Sequence, residues 1–242
     1  MAGIAAPNIV KDGLVFYIDA MNLRTYPGSG TSWNTLVGDK NLTLYGSPTY
    51  QTNNLGGLVF DGSDDYAQAT TFPEIDGSTT YTFNLWFKYG GTDTSLQSFL
   101  CKPKASAWAE DFDLRWYPTD AGGPLLLYAI NTNSKWENAT NLSTSLFTNL
   151  CLVVNSSESS NADKIKGYIN GDLVNNTRGL APTALTSGGN QNLIIGGGRQ
   201  GNSGSVIREF DGNINIVSIY NRSLSAQEVK QNYNALKGRF GL

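Results

Sequence analysis

The chain has 242 residues, a net charge of −3 and no histidine. The weakly acidic balance offers no basic footprint for nucleic acid, and without histidine neither a Ser-His-Asp triad nor a His-ligated zinc site can be built. Charged residues make up 15% and glycine supplies 27 positions, which suits many short strands joined by turns rather than a helical bundle.

Residues 1–11 are mostly small and apolar, with Pro7, and lack the basic start and long apolar stretch of a secretion signal. They read as an N-terminal arm for attachment or oligomerisation, ahead of one domain over 12–242. No apolar run approaches the ~18 residues that a membrane span needs. Lys11-Asp12-Gly13 turns into the β-rich run Leu14–Asp19, and Tyr26-Pro27-Gly28 marks a loop. Leu42–Tyr45, Gly57–Phe60 and Tyr66–Ala69 are short strands.

Tyr81–Tyr89 is the clearest central strand. Its odd positions are large and apolar, alternating with Thr82, Asn84, Trp86 and Lys88, so one face is core and the other mixed. Further strands fall at Gln97–Cys101, Phe112–Tyr117, Pro124–Thr132, Leu150–Asn155, Ile165–Asn170, Leu173–Thr177, Asn192–Gly196 and Gly212–Tyr220. Cys101 and Cys151 each follow apolar residues and read as unpaired core thiols.

Asn170-Gly171 between alternating segments predicts a type I′ hairpin, because both central residues need positive φ. The Gly196–Gly201 stretch lacks the Lys-Ser/Thr of a phosphate loop and reads as a mobile loop. At the end, Ser225 and Glu228 form a capping box, Leu224 and Val229 a hydrophobic staple, and Val229, Tyr233 and Leu236 recur at helical spacing. Many short strands with frequent turns and one closing helix define an all-β, two-sheet antiparallel sandwich.

Gly13–Ala20, Tyr26–Trp33, Gly56–Tyr66, the Tyr168–Gly171 hairpin and the closing Phe210–Leu236 segment occur in an order that resembles the laminin-G-like, concanavalin A-like jelly roll found in tailed-phage virion proteins. The resemblance runs from about Asp12 to Gly241. It implies a virion surface protein (capsid decoration, head-fibre or tail-fibre component), assembled in the host cytoplasm. The arm would join it to capsid or tail proteins as a homo-oligomer, and host-surface glycans would be its ligands.

The same jelly roll hosts β-glucanases, whose strand motif has the form E-x-D-x-x-E. Glu74-Ile75-Asp76 offers the first half, but Thr79 stands at the last acidic position. Asp111-Phe112-Asp113 ends on Trp116 instead. Neither matches, so the chain is read as non-catalytic, with Glu110, Asp111 and Asp113 on a solvated strand edge. Similar domains often hold a structural Ca²⁺, and the matching positions here are Asp19 and Asn215, with Asn where relatives commonly have Asp. Trp108, Arg115, Trp116, Tyr128 and Trp136 are the candidate glycan surface, since sugars stack on aromatic faces beside polar groups. The alternatives are a free lectin-like module and a glycan-degrading hydrolase acting through Glu74 or Asp113.

Overall fold

Alternating apolar and polar residues become strands throughout the computed structural model. It describes residues 7–52, 56–91, 95–104, 110–118, 124–130, 133–174, 178–185, 191–199 and 204–242. The strands are β1 (Leu14–Asp19), β2 (Ser32–Trp33), β3 (Leu42–Tyr45), β4 (Thr49–Gln51), β5 (Gly57–Asp61), β6 (Tyr66–Ala69), β7 (Thr80–Tyr89) and β8 (Gln97–Pro103). They continue as β9 (Glu110–Tyr117), β10 (Leu125–Ile130), β11 (Asn133–Ala139), β12 (Thr148–Asn155), β13 (Ile165–Ile169), β14 (Asp172–Val174), β15 (Arg178–Gly179), β16 (Leu193–Ile195) and β17 (Asp211–Tyr220). Helix α1 (Ala226–Leu236) and a 3-10 turn (Lys237–Phe240) close the chain.

The first sheet has the order β14-β13-β12-β7-β17-β5-β4, with β1 also on β17, and the second β15-β11-β10-β9-β8-β16-β6-β3-β2. All named pairs among the described residues are antiparallel. Strands β5 and β1 lie end to end along one edge of β17, meeting its first and second halves. Asn215 falls at the intervening bulge, where its amide donates to the Gly56 carbonyl at 2.7 Å. This is the two-sheet antiparallel sandwich that the turn-rich, alternating sequence predicts, in the jelly-roll form that the family resemblance implies.

Between the sheets lies one core, including Phe16, Phe60, Phe83, Phe87, Phe99, Phe112, Leu114, Trp116, Tyr128 and Trp136. Trp116, Tyr128 and Trp136 are at most 2% exposed. They are therefore core residues and cannot stack on a sugar, which corrects their assignment to a glycan surface. Trp116 and Tyr128 do share a face, opposite Leu126 and Leu114 respectively, but it is the inward one. Trp108 lies outside the described residues.

The outer face of the first sheet is covered as well. Ser225 Oγ accepts the Glu228 amide at 3.3 Å, and the Glu228 carboxylate accepts the Ser225 amide at 2.8 Å. Leu224 and Val229 pack in one cluster with Cys151, Tyr168 and Tyr220. Trp86, on the face expected to be mixed, is stacked under Phe240 and Tyr233 with ring centroids 4.3 and 5.6 Å away. Polar Thr82 becomes a docking group there, donating to the Arg222 carbonyl at 2.9 Å and accepting the Leu224 amide at 3.0 Å.

Part of the expected arm docks on its own domain. The Val10 amide donates to Asn232 Oδ1 at 2.8 Å, Tyr220 donates to the Val10 carbonyl at 3.1 Å, and Gln231 donates to the Asn8 carbonyl at 2.8 Å. Residues 1–6 lie outside the described residues. Cys101 and Cys151 are free and buried, as the apolar flanks predicted.

Candidate functional site

The outer face of the second sheet is where chemistry-bearing side chains gather. In β3 the leucines point inward, leaving Thr43 and Tyr45 outside; in β6 the alanines point inward, leaving Tyr66 and Gln68. Tyr45 and Tyr66 are cross-strand partners and stack with centroids 4.6 Å apart and planes 10° from parallel. Such a pair offers a flat apolar platform with hydroxyls at its rim. Tyr45 remains 40% exposed. Beside this platform Arg199 Nη2 donates to Gln68 Oε1 at 3.1 Å.

Further along the same face, β8 and β9 set Ser98 opposite Arg115 and Cys101 opposite Asp113. Arg115 joins both acids, with Nε 2.8 Å from Asp113 Oδ2 and Nη2 2.6 Å from Glu110 Oε1. Arg208 does the same from the segment before β17, with Nη2 2.6 Å from Glu110 Oε1 and 3.0 Å from Asp113 Oδ2. Ser98 Oγ donates to Asp113 Oδ2 at 3.1 Å. Arg208 reaches this position with a left-handed φ of 59°, a conformation that costs a non-glycine residue about 1 kcal/mol or more. Gly198 makes room for it, because a Cβ there would sit 2.6 Å from Ser98 Oγ and 2.7 Å from Arg208 Nε.

The expected solvated edge is thus replaced by a buried ionic cluster. Glu110, Asp111 and Asp113 are at most 1% exposed, because β9 runs between β8 and β10 and has no open edge. Burial raises the Asp113 carboxyl above the ordinary carboxylate range, against the downward pull of Arg115 and Arg208. Arg115 is raised in spite of burial, held charged by Asp113 and Glu110. Glu110 Oε2, Asp113 Oδ1, Arg199 Nε and Arg208 Nε are buried without a hydrogen-bond partner among the described residues.

The described part of the Gly196–Gly201 stretch, residues 196–199, differs from expectation, and Gln200 and Gly201 lie outside the described residues. Gly196, Gly197 and Gly198 are buried, and Gly198 exchanges backbone hydrogen bonds of 2.7 and 2.8 Å with Ile207. This bridge anchors the segment that carries Arg208.

The calcium positions do not fit a cation. Both Asp19 oxygens are taken by Arg239, at 2.7 and 3.0 Å, and a guanidinium already balances the carboxylate. Asn215 is next to Asp19 through the Ala20 amide to Asn215 carbonyl bond of 2.8 Å, yet only its Oδ1 is left unpartnered. The Asp61-Gly62-Ser63-Asp64-Asp65 run is the turn the sequence suggests, with the Ser63 amide donating to Asp61 Oδ1 at 2.8 Å.

Of the sequence candidates among the described residues, Arg115 and Asp113 lie in the outer-face cluster. Tyr45, Tyr66, Gln68, Ser98, Arg199 and Arg208 were not foreseen. The period-2 pattern of β3 and β6 places Tyr45 and Tyr66 off the core, but their meeting depends on strand pairing across 21 residues.

The model of the Concanavalin A-like lectin/glucanases superfamily matches residues 61–230, and the chain belongs to that superfamily. No curated protein matches it. Domain 4 of AbnA, a GH43 extracellular arabinanase from Geobacillus stearothermophilus, in complex with arabinotriose, superposes with a TM-score of 0.64 at 17% identity, covering 93% of this chain and 100% of that one. Trypanosoma rangeli sialidase in complex with sialic acid gives 0.67 at 14% identity, covering 98% of this chain and 36% of that one, so the chain spans about a third of the sialidase. A heptameric SAP-like pentraxin from Limulus polyphemus gives 0.57 at 12% identity, covering 71% and 78%. At these identities the likeness is one of fold.

Proposed function

We propose that this chain is a non-catalytic glycan-binding module whose ligand lies on the outer face of the second sheet. The observation that supports this most is the exposed Tyr45–Tyr66 stack beside Arg199 and Gln68. A pyranose or furanose ring stacks its C–H face on Tyr45, while the neighbouring amide and guanidinium satisfy its hydroxyls. The Glu110–Asp113–Arg115–Arg208 cluster forms the rigid floor of that face.

The same cluster supports the non-catalytic reading. A glycosidase needs one carboxyl that carries a proton and one that is free to attack or to activate water. Here Glu110 and Asp113 each contact both Arg115 and Arg208. Asp76 is likewise paired, with Lys102. Turnover that disappears in Asp113→Asn or Glu74→Gln would instead establish the hydrolase.

Glycan-array screening of the purified chain tests the proposal, with arabino-oligosaccharides and sialosides among the first probes because those ligands occupy the similar structures. Binding that falls roughly tenfold or more in Tyr45→Ala supports it. No binding to any glycan in the parent chain contradicts it. The finer setting belongs to the same proposal and rests on the phage resemblance: a module displayed on a virion, joined to capsid or tail proteins through its N-terminal residues as a homo-oligomer. Finding the chain in purified particles by mass spectrometry supports that setting, and particles without it remove it.

A further inference from the structure

A second charged group lies apart from the outer face, at the end of the core. Lys102 of β8 is opposite Phe112 of β9 and so points toward the space between the sheets. A bulge beside it inserts Asp111 as the extra residue of β9; bulges of this kind re-aim side chains. The Asp111 carboxylate is thereby aimed at Lys102, with Oδ2 3.2 Å from Nζ. The same nitrogen contacts Asp76 Oδ1.

Asp76 comes from the turn between β6 and β7. Its amide bonds the Pro73 carbonyl at 2.9 Å, and the Gly77 amide bonds the Leu185 carbonyl at 3.1 Å. The Lys102, Asp111 and Asp76 side chains are 0%, 1% and 11% exposed. Ile75, next to Asp76 in the chain, is fully buried, as are Tyr81 and Tyr128, whose phenols feel the Asp111 charge. Burial chiefly, with the Asp111 charge adding to it, pushes both tyrosine phenols up.

One amine between two carboxylates, in apolar surroundings and nearly closed to water, is more than an ion pair needs. Buried ion pairs are costly to desolvate, and a permanently positioned amine and acid react with effective molarities on the order of 10⁵–10⁸ M. We propose that Lys102 and Asp76 form an intramolecular amide crosslink, with Asp111 as the proton relay.

The step balances without an oxidant or cofactor. Proton transfer within the pair gives a neutral amine and a protonated Asp76. The Nζ lone pair forms a C–N bond to Asp76 Cγ. Asp111 takes a proton from the nitrogen and returns it to the departing Asp76 hydroxyl. The C–O bond breaks, one water leaves, and a neutral amide replaces two buried charges. The product ties the 73–78 turn to β8 across 26 residues of chain.

Intact-mass measurement of the purified full-length chain tests this, followed by tandem mass spectrometry of a digest. The expected result is a mass lower by one water than the sequence requires, with a branched peptide joining Lys102 to Asp76. Asp111→Asn, confirmed as folded by circular dichroism, is expected to show the full sequence mass. The crosslink is overturned by a native mass equal to the sequence. It is equally overturned by a water loss that maps to a cyclic imide at Asp76-Gly77 with Lys102 recovered in a linear peptide. A folded Asp111→Asn chain that still crosslinks removes Asp111 as the relay. Because the parent's mass and branched peptide are read directly, the test holds even if a variant does not fold.

Discussion

Asp19 and Arg239 stand 220 residues apart and meet in a two-point ion pair of 2.7 and 3.0 Å. The pair joins the end of β1 to the 3-10 turn that closes the chain. It also puts a fixed guanidinium where the family resemblance placed a calcium ion.

Removing that guanidinium leaves the Asp19 carboxylate, 5% exposed, without its main partner. Arg239→Ala is therefore expected to destabilise the domain by about 2 kcal/mol, read as a lower urea midpoint. Arg239→Lys keeps the charge but not the two-point geometry and should fall between. In Arg239→Ala, Asp19 and Asn215 Oδ1 are freed together, so calcium should raise the thermal midpoint of that variant and leave the parent unchanged. A calcium shift in the parent would contradict this account.

The tryptophans of the second sheet are structural. Trp136 lies so close to Gly167 of β13 that a Cβ on that glycine would collide with the indole ring. Gly167→Ala is expected to cost about 1–3 kcal/mol through overpacking, and Trp136→Ala about 3–5 kcal/mol through the cavity it leaves. Denaturant titration measures both. Were Trp136→Ala as stable as the parent, its place in the core would be wrong.

Acid sensitivity should concentrate at the helix start. A side-chain hydrogen bond from Arg222 holds the Glu228 carboxyl down at about 2, with Ser225 assisting against partial burial. An unfolded glutamate titrates near ~4.3. A depressed folded value means the stabilisation is complete above that range and fades as pH falls toward about 2. Glu228→Gln should flatten the stability profile across this window and leave its shape above pH ~5 unaltered. An identical acid limb in parent and variant would refute the assignment.

Local chemistry made much of the fold legible. The Asn170-Gly171 turn takes φ of 53° and 78°, as a type I′ hairpin requires, and Ser225 with Glu228 caps the helix as their spacing says. The alternation in Tyr81–Tyr89 gave β7 to within one residue of its start. Short strands without a strong pattern were missed: β2, β4 and β15, and also β11, whose Asn-Ser-Lys-Trp-Glu-Asn-Ala sequence is mostly polar.

The site was harder to read, because it is made by register. Hydrophobic alternation says which face a side chain takes, but not which strand lies beside it. Tyr45 meets Tyr66, and Glu110 meets Arg208, only after the sheet is assembled. The aromatic cluster at 108–136 misled for the complementary reason. A tryptophan in an alternating strand has equal local chemistry on either face, and in Trp116 and Trp136 the core took it. The charges of Glu110, Asp111 and Asp113 suggested solvent, whereas Lys102, Arg115 and Arg208 supply partners that allow burial.

The proposed glycan site is the Tyr45–Tyr66 platform on the outer face of the second sheet. Isothermal titration of the best array ligand into the parent chain, Tyr45→Ala and Tyr66→Ala tests it most directly, with unfolding midpoints measured alongside. Saturable binding by the parent is expected, with an affinity roughly tenfold or more weaker in both variants at midpoints close to the parent's. Equal affinity in all three chains would contradict it and place the ligand elsewhere on the molecule.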